Sequence, residues 1–490
     1  MPTEGEATDS VFKMLIGGKW VASSSKELMP VVSPIDGEVI AKVQKGTKKD
    51  AEKAVKAAVA AKKTIGTMPA VDRAEILRNA GELIYEFSEE LIETICLDAG
   101  KPYSVAKGEI EATAERFLYA AEEAKQITGE SLLGDTVPWH KEKIGMVIRQ
   151  PIGVVLAICP FNYPLFIASA KIAPALAAGN SVIAKPASDD PLALLFLAEI
   201  LELAGLPSGA LNVITGPGAE IGDYLSSHPD IDMISFTGST RVGKAIAKNA
   251  SMQKLHLELG GKSPALVLAD ADLELAAKQC ASGAFKFSGQ RCDAISRILV
   301  DKSVAAKLTK LILKEAKGYT MGDPLDEKTK IGPLINERAI AKVESLVADA
   351  KKKGAKVLCG GKRETSFGKL YYVPTVLSGV TPKMKIAWEE TFGPVAAIMS
   401  VSGYEEMIEL SNKSEYGLDA SVFTNDINKA IDAGLRLEDG TVNINAAPAH
   451  GLGNFPFGGD KDSGMDREGI KFSVDDMTKA HTIIFNPKKP

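Results

Sequence analysis

The chain has 490 residues, 58 of them basic and 63 acidic, for a formal net charge of −5, with 45% hydrophobic and 25% charged side chains. That length allows two or three domains with ample core, and the mild acidity excludes a broadly basic, nucleic-acid-coating surface. The 44 glycines exceed the usual ~7% and point to tight turns or close backbone approaches to a ligand.

In chain order, the acidic, polar start Met1-Pro2-Thr3-Glu4-Gly5-Glu6 does not read as a signal peptide. Residues 49–127 read as mostly helical, with apolar residues at helical spacing over 50–63, 71–87 and 104–125. The segment 128–146 reads as extended. From residue 152 short apolar runs alternate with helical stretches: strands are expected at 154–159, 181–184, 211–215 and 233–237, and a helix over 191–204 closed by Gly205. A second series follows, with strands expected at 265–269, 295–300, 355–359, 395–401, 421–424 and 441–445, and a β-rich end at 480–485. The most apolar stretch, 165–184, is broken by Lys171, Pro174, Gly179 and Asn180, which argues against a membrane span. Two strand–turn–helix series predict an α/β protein of two domains with parallel sheets and a ligand cleft between them.

The five cysteines (Cys96, Cys159, Cys280, Cys292 and Cys359) are scattered, with no CxxC pair, and the chain holds only five histidines. No metal site is expected from such spacing, and the unpaired thiols suit a reducing, cytoplasmic setting.

Five segments could carry chemistry. In Phe287-Ser288-Gly289-Gln290-Arg291-Cys292 a guanidinium stands beside a thiol, an arrangement expected to favour the thiolate. Cys96 and Cys280, within apolar helical patterns, read as small buried hydrophobes. In Leu257-Glu258-Leu259-Gly260-Gly261 a carboxyl between two leucines is expected to be partly desolvated, which raises its pKa toward that of a general base; a solvated strand end is the alternative. Pro160-Phe161-Asn162-Tyr163-Pro164 follows a strand, at the end where parallel sheets place ligands, so Asn162 either donates to an oxyanion or caps the next helix. Phe236-Thr237-Gly238-Ser239-Thr240-Arg241-Val242-Gly243 runs from strand to helix through a turn that can offer backbone N–H groups to a pyrophosphate. Gly216-Pro217-Gly218-Ala219-Glu220-Ile221-Gly222 resembles a dinucleotide turn but is one residue too long between its last two glycines. Lys185 and Ser188 after one strand, and Glu390 in Glu389-Glu390-Thr391-Phe392-Gly393-Pro394, could hold ribose hydroxyls or a 2′-phosphate.

Taken together and in this order, the motifs resemble the aldehyde dehydrogenase superfamily along nearly the whole chain, from Ile16-Gly17-Gly18-Lys19-Trp20 to Pro456-Phe457-Gly458-Gly459. The resemblance implies Cys292 as nucleophile, Glu258 as general base and Asn162 as oxyanion donor. It implies a cofactor held by Pro160, Lys185, Ser188, Gly218, Gly238, Ser239, Gly243, Leu259, Glu390 and Phe392. It also implies a Rossmann-like cofactor domain from 1–127 and 149–256, a catalytic domain over 257–465, and an arm from 128–148 and 466–490 through which a dimer or tetramer forms. NAD-preferring members often carry a Glu where this chain has Ser188, so NADP is expected to be preferred and NAD to be accepted.

Arg291 and Tyr163 resemble the positions at which non-phosphorylating glyceraldehyde-3-phosphate dehydrogenases bind the substrate phosphate, with Arg116 as the candidate third group. His450 stands where many of those enzymes have Arg, which leaves glyceraldehyde, lactaldehyde or succinate semialdehyde as alternatives. The expected partner is a small aldehyde, phosphorylated in the first reading, and neither a nucleic acid nor a membrane. A rival from another class is a cofactor-independent thiol hydrolase using Cys292; it lacks a histidine near the cysteine motif.

Overall fold

A computed structural model describes residues 10–449 and 455–487. Two sheets organise it. The first has eight strands in the spatial order Gly464–Met465, Lys254–Glu258, Met233–Thr237, Val154–Ile158, Ser181–Lys185, Leu211–Val213, Met14–Ile16, Lys19–Val21. The five from Lys254–Glu258 to Leu211–Val213 are parallel; Gly464–Met465 and Met14–Ile16 run antiparallel to them on either side, and Lys19–Val21 is antiparallel to Met14–Ile16. The second has seven strands, ordered Lys356–Cys359, Thr375–Ser378, Val395–Val401, Arg297–Asp301, Pro264–Val267, Asp419–Phe423, Thr441–Ile444, of which only Lys356–Cys359 is antiparallel to its neighbour.

Parallel strands covered on both faces should be apolar throughout. Pro264–Val267, Ser181–Lys185 and Met233–Thr237 are buried at every residue. The helix Phe166–Ala177 is likewise buried all round, which explains why 165–184 has no polar face: it lies inside the protein. No helix among the described residues is long and apolar enough to cross a membrane.

The order of the first sheet reverses between Val154–Ile158 and Met233–Thr237. From Val154–Ile158 the chain steps through Ser181–Lys185 to Leu211–Val213, then returns to the other side. That reversal opens a crevice beyond the carboxyl ends of those two strands, the place where open α/β sheets bind ligands. The second sheet meets it the other way round. Residues 259–263 cross from the end of Lys254–Glu258 to the start of Pro264–Val267, so amino ends of the second sheet face carboxyl ends of the first.

The longer expected strands and helices lie within a few residues of their places, whereas several short strands were not read. Met14–Ile16, Lys19–Val21, Val39–Gln44 and Thr375–Ser378 are three to six residues long, too short to show a period, and only their distant partners make them strands. Glu130–Leu133, Ile144–Pro151 and Thr478–Phe485 form a separate antiparallel ladder. The intervening residues after 465 do not join it: Ile470, Val474 and Met477 pack into the core beneath the first sheet's helices, because their spacing gives the helix Ile470–Asp476 one apolar face.

Candidate active site

The crevice gathers side chains from both sheets. A cavity of about 230 Å³ is lined by Asn162, Tyr163, Phe166, Lys286, Arg291, Cys292 and Asp293, and by Ser104, Val105, Gly108, Glu109 and Ala112 of the helix Tyr103–Ala124. Cys292 is half-buried, whereas Cys96, Cys159 and Cys280 are buried. Burial pushes the thiols of Cys96 and Cys159 up to about 12.

The loop that presents Cys292 leaves the helix Leu273–Phe285 through a strained turn. Phe287 and Ser288 sit at φ of 51° and 52°, a region that costs a non-glycine residue of order 1–3 kcal/mol. Their partners hold them there. The Ser288 hydroxyl donates to Gly332 O at 2.7 Å, and the Phe287 ring lies against Tyr163 with Lys101 Nζ over its face. Gly289 completes the turn, and a Cβ there would come 2.2 Å from Gly393 O.

Arg291 does not act as expected on its neighbour. Its guanidinium donates from Nε and Nη2 to both carboxylate oxygens of Asp293, at 3.0 and 2.8 Å, and from Nη2 to Pro448 O at 2.9 Å. The bidentate pair spends the positive charge. Burial, then Asp293, Glu258 and Glu390, hold the Cys292 thiol well above 9.0, outweighing Arg291.

Asn162 follows the strand Val154–Ile158 and donates from Nδ2 to Gln290 O at 3.1 Å. One amide hydrogen fixes it beside Cys292 and the second stays available. It does not cap the next helix. The start of Phe166–Ala177 is covered by Glu109, whose Oε1 accepts from Leu165 N and Phe166 N at 3.0 and 3.1 Å. The Cys292 N–H has no partner among the described residues. Together with the Asn162 amide it offers two donors beside one sulfur, the minimum for an oxyanion site.

Glu258 ends its strand and is 3% exposed. Its Oε1 lies 3.3 Å from His256 Nε2, and its Oε2 has no partner among the described residues. Burial, reinforced by the charge of Glu468, pushes its pKa well above 4.5. Glu468 is itself buried and paired with Lys171 at 2.7 Å. The flanking leucines foreshadow the desolvation; nothing in the local sequence points to Glu468, which arrives from 210 positions away (468 − 258). Gly458 makes room for the carboxyl, since a Cβ there would come 2.7 Å from Glu258 Oε1.

The nucleotide-type motifs meet at the same crevice. Ser239 precedes the helix Thr240–Asn249 without capping it, so the helix start keeps free N–H groups for an anion. Thr237 Oγ1 is buried without a partner among the described residues. Lys185 is buried, donates only to Pro186 O at 3.0 Å, and has its pKa lowered to about 8 by burial. Leu259 packs so close to Gly243 that a Cβ there would meet it at 2.3 Å. Glu390 accepts from Gly261 N at 3.3 Å, and Phe392 at φ of 52° sets its ring 5.8 Å from that of Phe161, next to Pro160. Ser188 is exposed, its hydroxyl donating to Gly216 O at 3.2 Å, and Gly218 opens the helix Gly218–Ser226. An uncapped helix start, an orphaned hydroxyl, a desolvated lysine and a carboxylate are the donor set a dinucleotide needs.

Arg116 is a correction. It is 2% exposed, stacks on the Phe166 ring at 3.9 Å and does not line the cavity. Gly108 and Ala112 line the cavity from the same helix, and Phe166, on whose ring the Arg116 guanidinium stacks, is in the lining in place of Arg116. Its Nε and Nη1 have no hydrogen-bond partner among the described residues, and burial lowers its pKa to about 10. His450 lies outside the described residues. Lys286, Asp293 and Glu109 went unread: one is an ordinary surface residue by type, and the others act through pairings set by the fold.

A family model described as "Aldehyde dehydrogenase family" matches residues 20–483. An NADP-dependent glyceraldehyde-3-phosphate dehydrogenase of Streptococcus equinus is 43% identical, over 98% of this chain and 99% of its own. A 3-sulfolactaldehyde dehydrogenase of Priestia aryabhattai is 38% identical, over 97% and 98%. The crystal structure of the NADP-dependent glyceraldehyde-3-phosphate dehydrogenase of Bacillus halodurans C-125, complexed with NADP, superposes with a TM-score of 0.94 at 43% identity, covering 97% of this chain and 99% of that one.

Proposed function

Since the chain belongs to the aldehyde dehydrogenase family, we propose that it oxidises glyceraldehyde 3-phosphate to 3-phosphoglycerate with NADP, without phosphorylating the product. The observation that carries this reading is a cavity lined at once by Cys292, Asn162 and two cationic side chains, Lys286 and Arg291. Relatives named for glyceraldehyde 3-phosphate and for 3-sulfolactaldehyde both point to small aldehydes ending in an anion. Ser188 leaves the cofactor crevice neutral where a carboxylate would repel a 2′-phosphate, which favours NADP while leaving NAD usable.

Cys292, once deprotonated, attacks the aldehyde carbon. The resulting oxyanion takes hydrogen bonds from Asn162 Nδ2 and the Cys292 N–H; one such donor is typically worth ~3 kcal/mol in the transition state. The nicotinamide, when bound, accepts the hydride from that carbon. Glu258 then takes a proton from the water that attacks the Cys292 thioester, releasing the acid and the thiol. Lys185, Ser239 and the start of the helix Thr240–Asn249 hold the cofactor phosphates and ribose, and Glu390 the second ribose. Tyr163 and the uncommitted Nη1 of Arg291 face the distal part of the substrate.

The test is kcat/KM for glyceraldehyde 3-phosphate and glyceraldehyde with each nicotinamide cofactor, followed at 340 nm. The reading expects phosphorylated substrate and NADP to win, each by about tenfold or more, and Cys292→Ser to abolish turnover. Equal rates with and without the phosphate would overturn the substrate. A second reading, glyceraldehyde or lactaldehyde as substrate, draws support from one observation: Arg116 is turned out of the cavity and Arg291 is charge-paired.

The exposed apolar side chains of the ladder, Leu132, Leu133, Ile144, Ile483, Ile484 and Phe485, support self-association through it into a dimer or tetramer. The five unpaired cysteines suit the cytoplasm.

A further inference from the structure

The cavity wall contains two cations, and their electrostatic situations differ. Arg291 is neutralised by a two-point ion pair with Asp293 and tied to Pro448 O. Lys286 lines the same cavity, and its ammonium has no ion pair or hydrogen bond among the described residues. It is exposed to solvent as well as lining the cavity, and its charge sits on a flexible four-carbon stem. Its pKa is lowered from 10.5 by partial burial and by the nearby positive charges of Arg291 and Lys101, which outweigh Asp293. A partly desolvated ammonium without a carboxylate of its own gains from an incoming anion.

The backbone fixes where that ammonium stands. Lys286 is the residue at which the helix Leu273–Phe285 ends, immediately before the two left-handed residues Phe287 and Ser288. Five residues separate it from Cys292, and the whole strained turn lies between them. Two consecutive non-glycine residues at positive φ are held by Gly332, Tyr163 and Lys101 rather than by their own preference. A regular helical continuation would carry Cys292 elsewhere; the turn places it and Lys286 on one cavity.

The helix Tyr103–Ala124 brings no unpaired charge to the lining. Ser104, Val105, Gly108 and Ala112 are neutral, and Glu109 is engaged with Lys101 and the start of the helix Phe166–Ala177. We propose that Lys286 is the specificity-determining residue of the cavity: it receives the anionic end of a small aldehyde whose carbonyl lies at Cys292, while Arg291, charge-paired with Asp293, shapes the loop and leaves only Nη1 to the substrate. This deepens the substrate reading above and rests on it for the class of reaction, not for the identity of the anion.

The experiment compares wild type, Lys286→Met and Lys286→Arg on three-carbon aldehydes ending in phosphate, sulfonate or hydroxyl, with NADP binding by fluorescence as a check on folding. A lost charge-assisted contact is worth about 10- to 100-fold. The ratio of kcat/KM for the anionic aldehyde over the neutral one is expected to fall by that factor in Lys286→Met, through KM, and to recover in part in Lys286→Arg. An anion preference that survives Lys286→Met overturns the proposal and leaves the phosphorylated substrate standing. A wild-type preference for sulfonate that vanishes in Lys286→Met supports Lys286 and sinks glyceraldehyde 3-phosphate. No anion preference in the wild type removes both.

Discussion

The thiol of Cys292 has Asp293, Glu258 and Glu390 on one side of the balance and Arg291 on the other, in a site with little water. Burial opposes the thiolate, and the guanidinium that could favour it is spent on Asp293. In the cofactor-free enzyme the reactive form is therefore the minor one at neutral pH, and alkylation by iodoacetamide should keep accelerating as the pH rises past 9.0. Replacing Asp293 by Asn removes the nearest negative charge and frees Arg291. That change should move the alkylation profile down by roughly one pH unit or more, since an unshielded cation within a few ångströms depresses an acid's pKa by about 1–3. An unmoved profile would mean that Arg291 does not reach the thiol. The adjacency of Arg291 and Cys292 is plain in the sequence, and so is Asp293 two positions on. Their pairing depends on a loop conformation that no spacing rule supplies.

The element that joins the two sheets is the five-residue crossing 259–263, and its double glycine has a specific task. A Cβ on Gly261 would lie 2.2 Å from the Cys292 carbonyl oxygen, a backbone atom that cannot swing aside. Gly261→Ala should displace the nucleophile's peptide, and misplacement by about 1 Å can cost roughly 10²-fold in rate. The expected outcome is a kcat loss of that order with a smaller loss of NADP affinity, because Glu390 accepts from Gly261 N while Lys185 and the helix Thr240–Asn249 lie on other segments. A parallel loss of NADP binding would show that the crossing supports both subsites. The motif Leu257 to Gly261 announces a carboxyl and a tight passage. That the passage is tight against Cys292, 31 positions later (292 − 261), follows from how the two sheets face each other.

Across the whole molecule, the segments that build the cavity are anchored by buried charge. Asp98 and Asp190 are fully buried side by side, Asp98 Oδ2 accepting from Leu192 N at 2.8 Å. Asp98 Oδ1 and both oxygens of Asp190 have no donor among the described residues, and burial together disfavours two negative charges. Burial raises Asp98 to about 7 and Asp190 well above its ordinary value. Unfolded, both ionise near 3.8, so between about pH 4 and about pH 7 the folded protein holds more protons. Stability contributed by this pair is therefore present at the acid end and falls as the pH rises through that window. Asp98→Asn keeps an acceptor for Leu192 N and adds a donor to Asp190. Its fall in Tm between pH 5 and pH 8 should be smaller than that of the wild type by about 2–4 °C; an equal fall would show that the pair does not hold a proton.

Residue types and local order were enough to recover the alternating α/β rhythm, the thiol, the carboxyl between leucines and the strand-to-helix turns, because each depends on neighbours within a few positions. The charge state of Cys292, the removal of Arg116 from the cavity, the short edge strands and the placement of Lys286 depend on partners tens to hundreds of residues apart. Burial and pairing act through space, and a carboxylate such as Asp293 or Glu468 changes a pKa only where the packed chain sets it beside the group it perturbs.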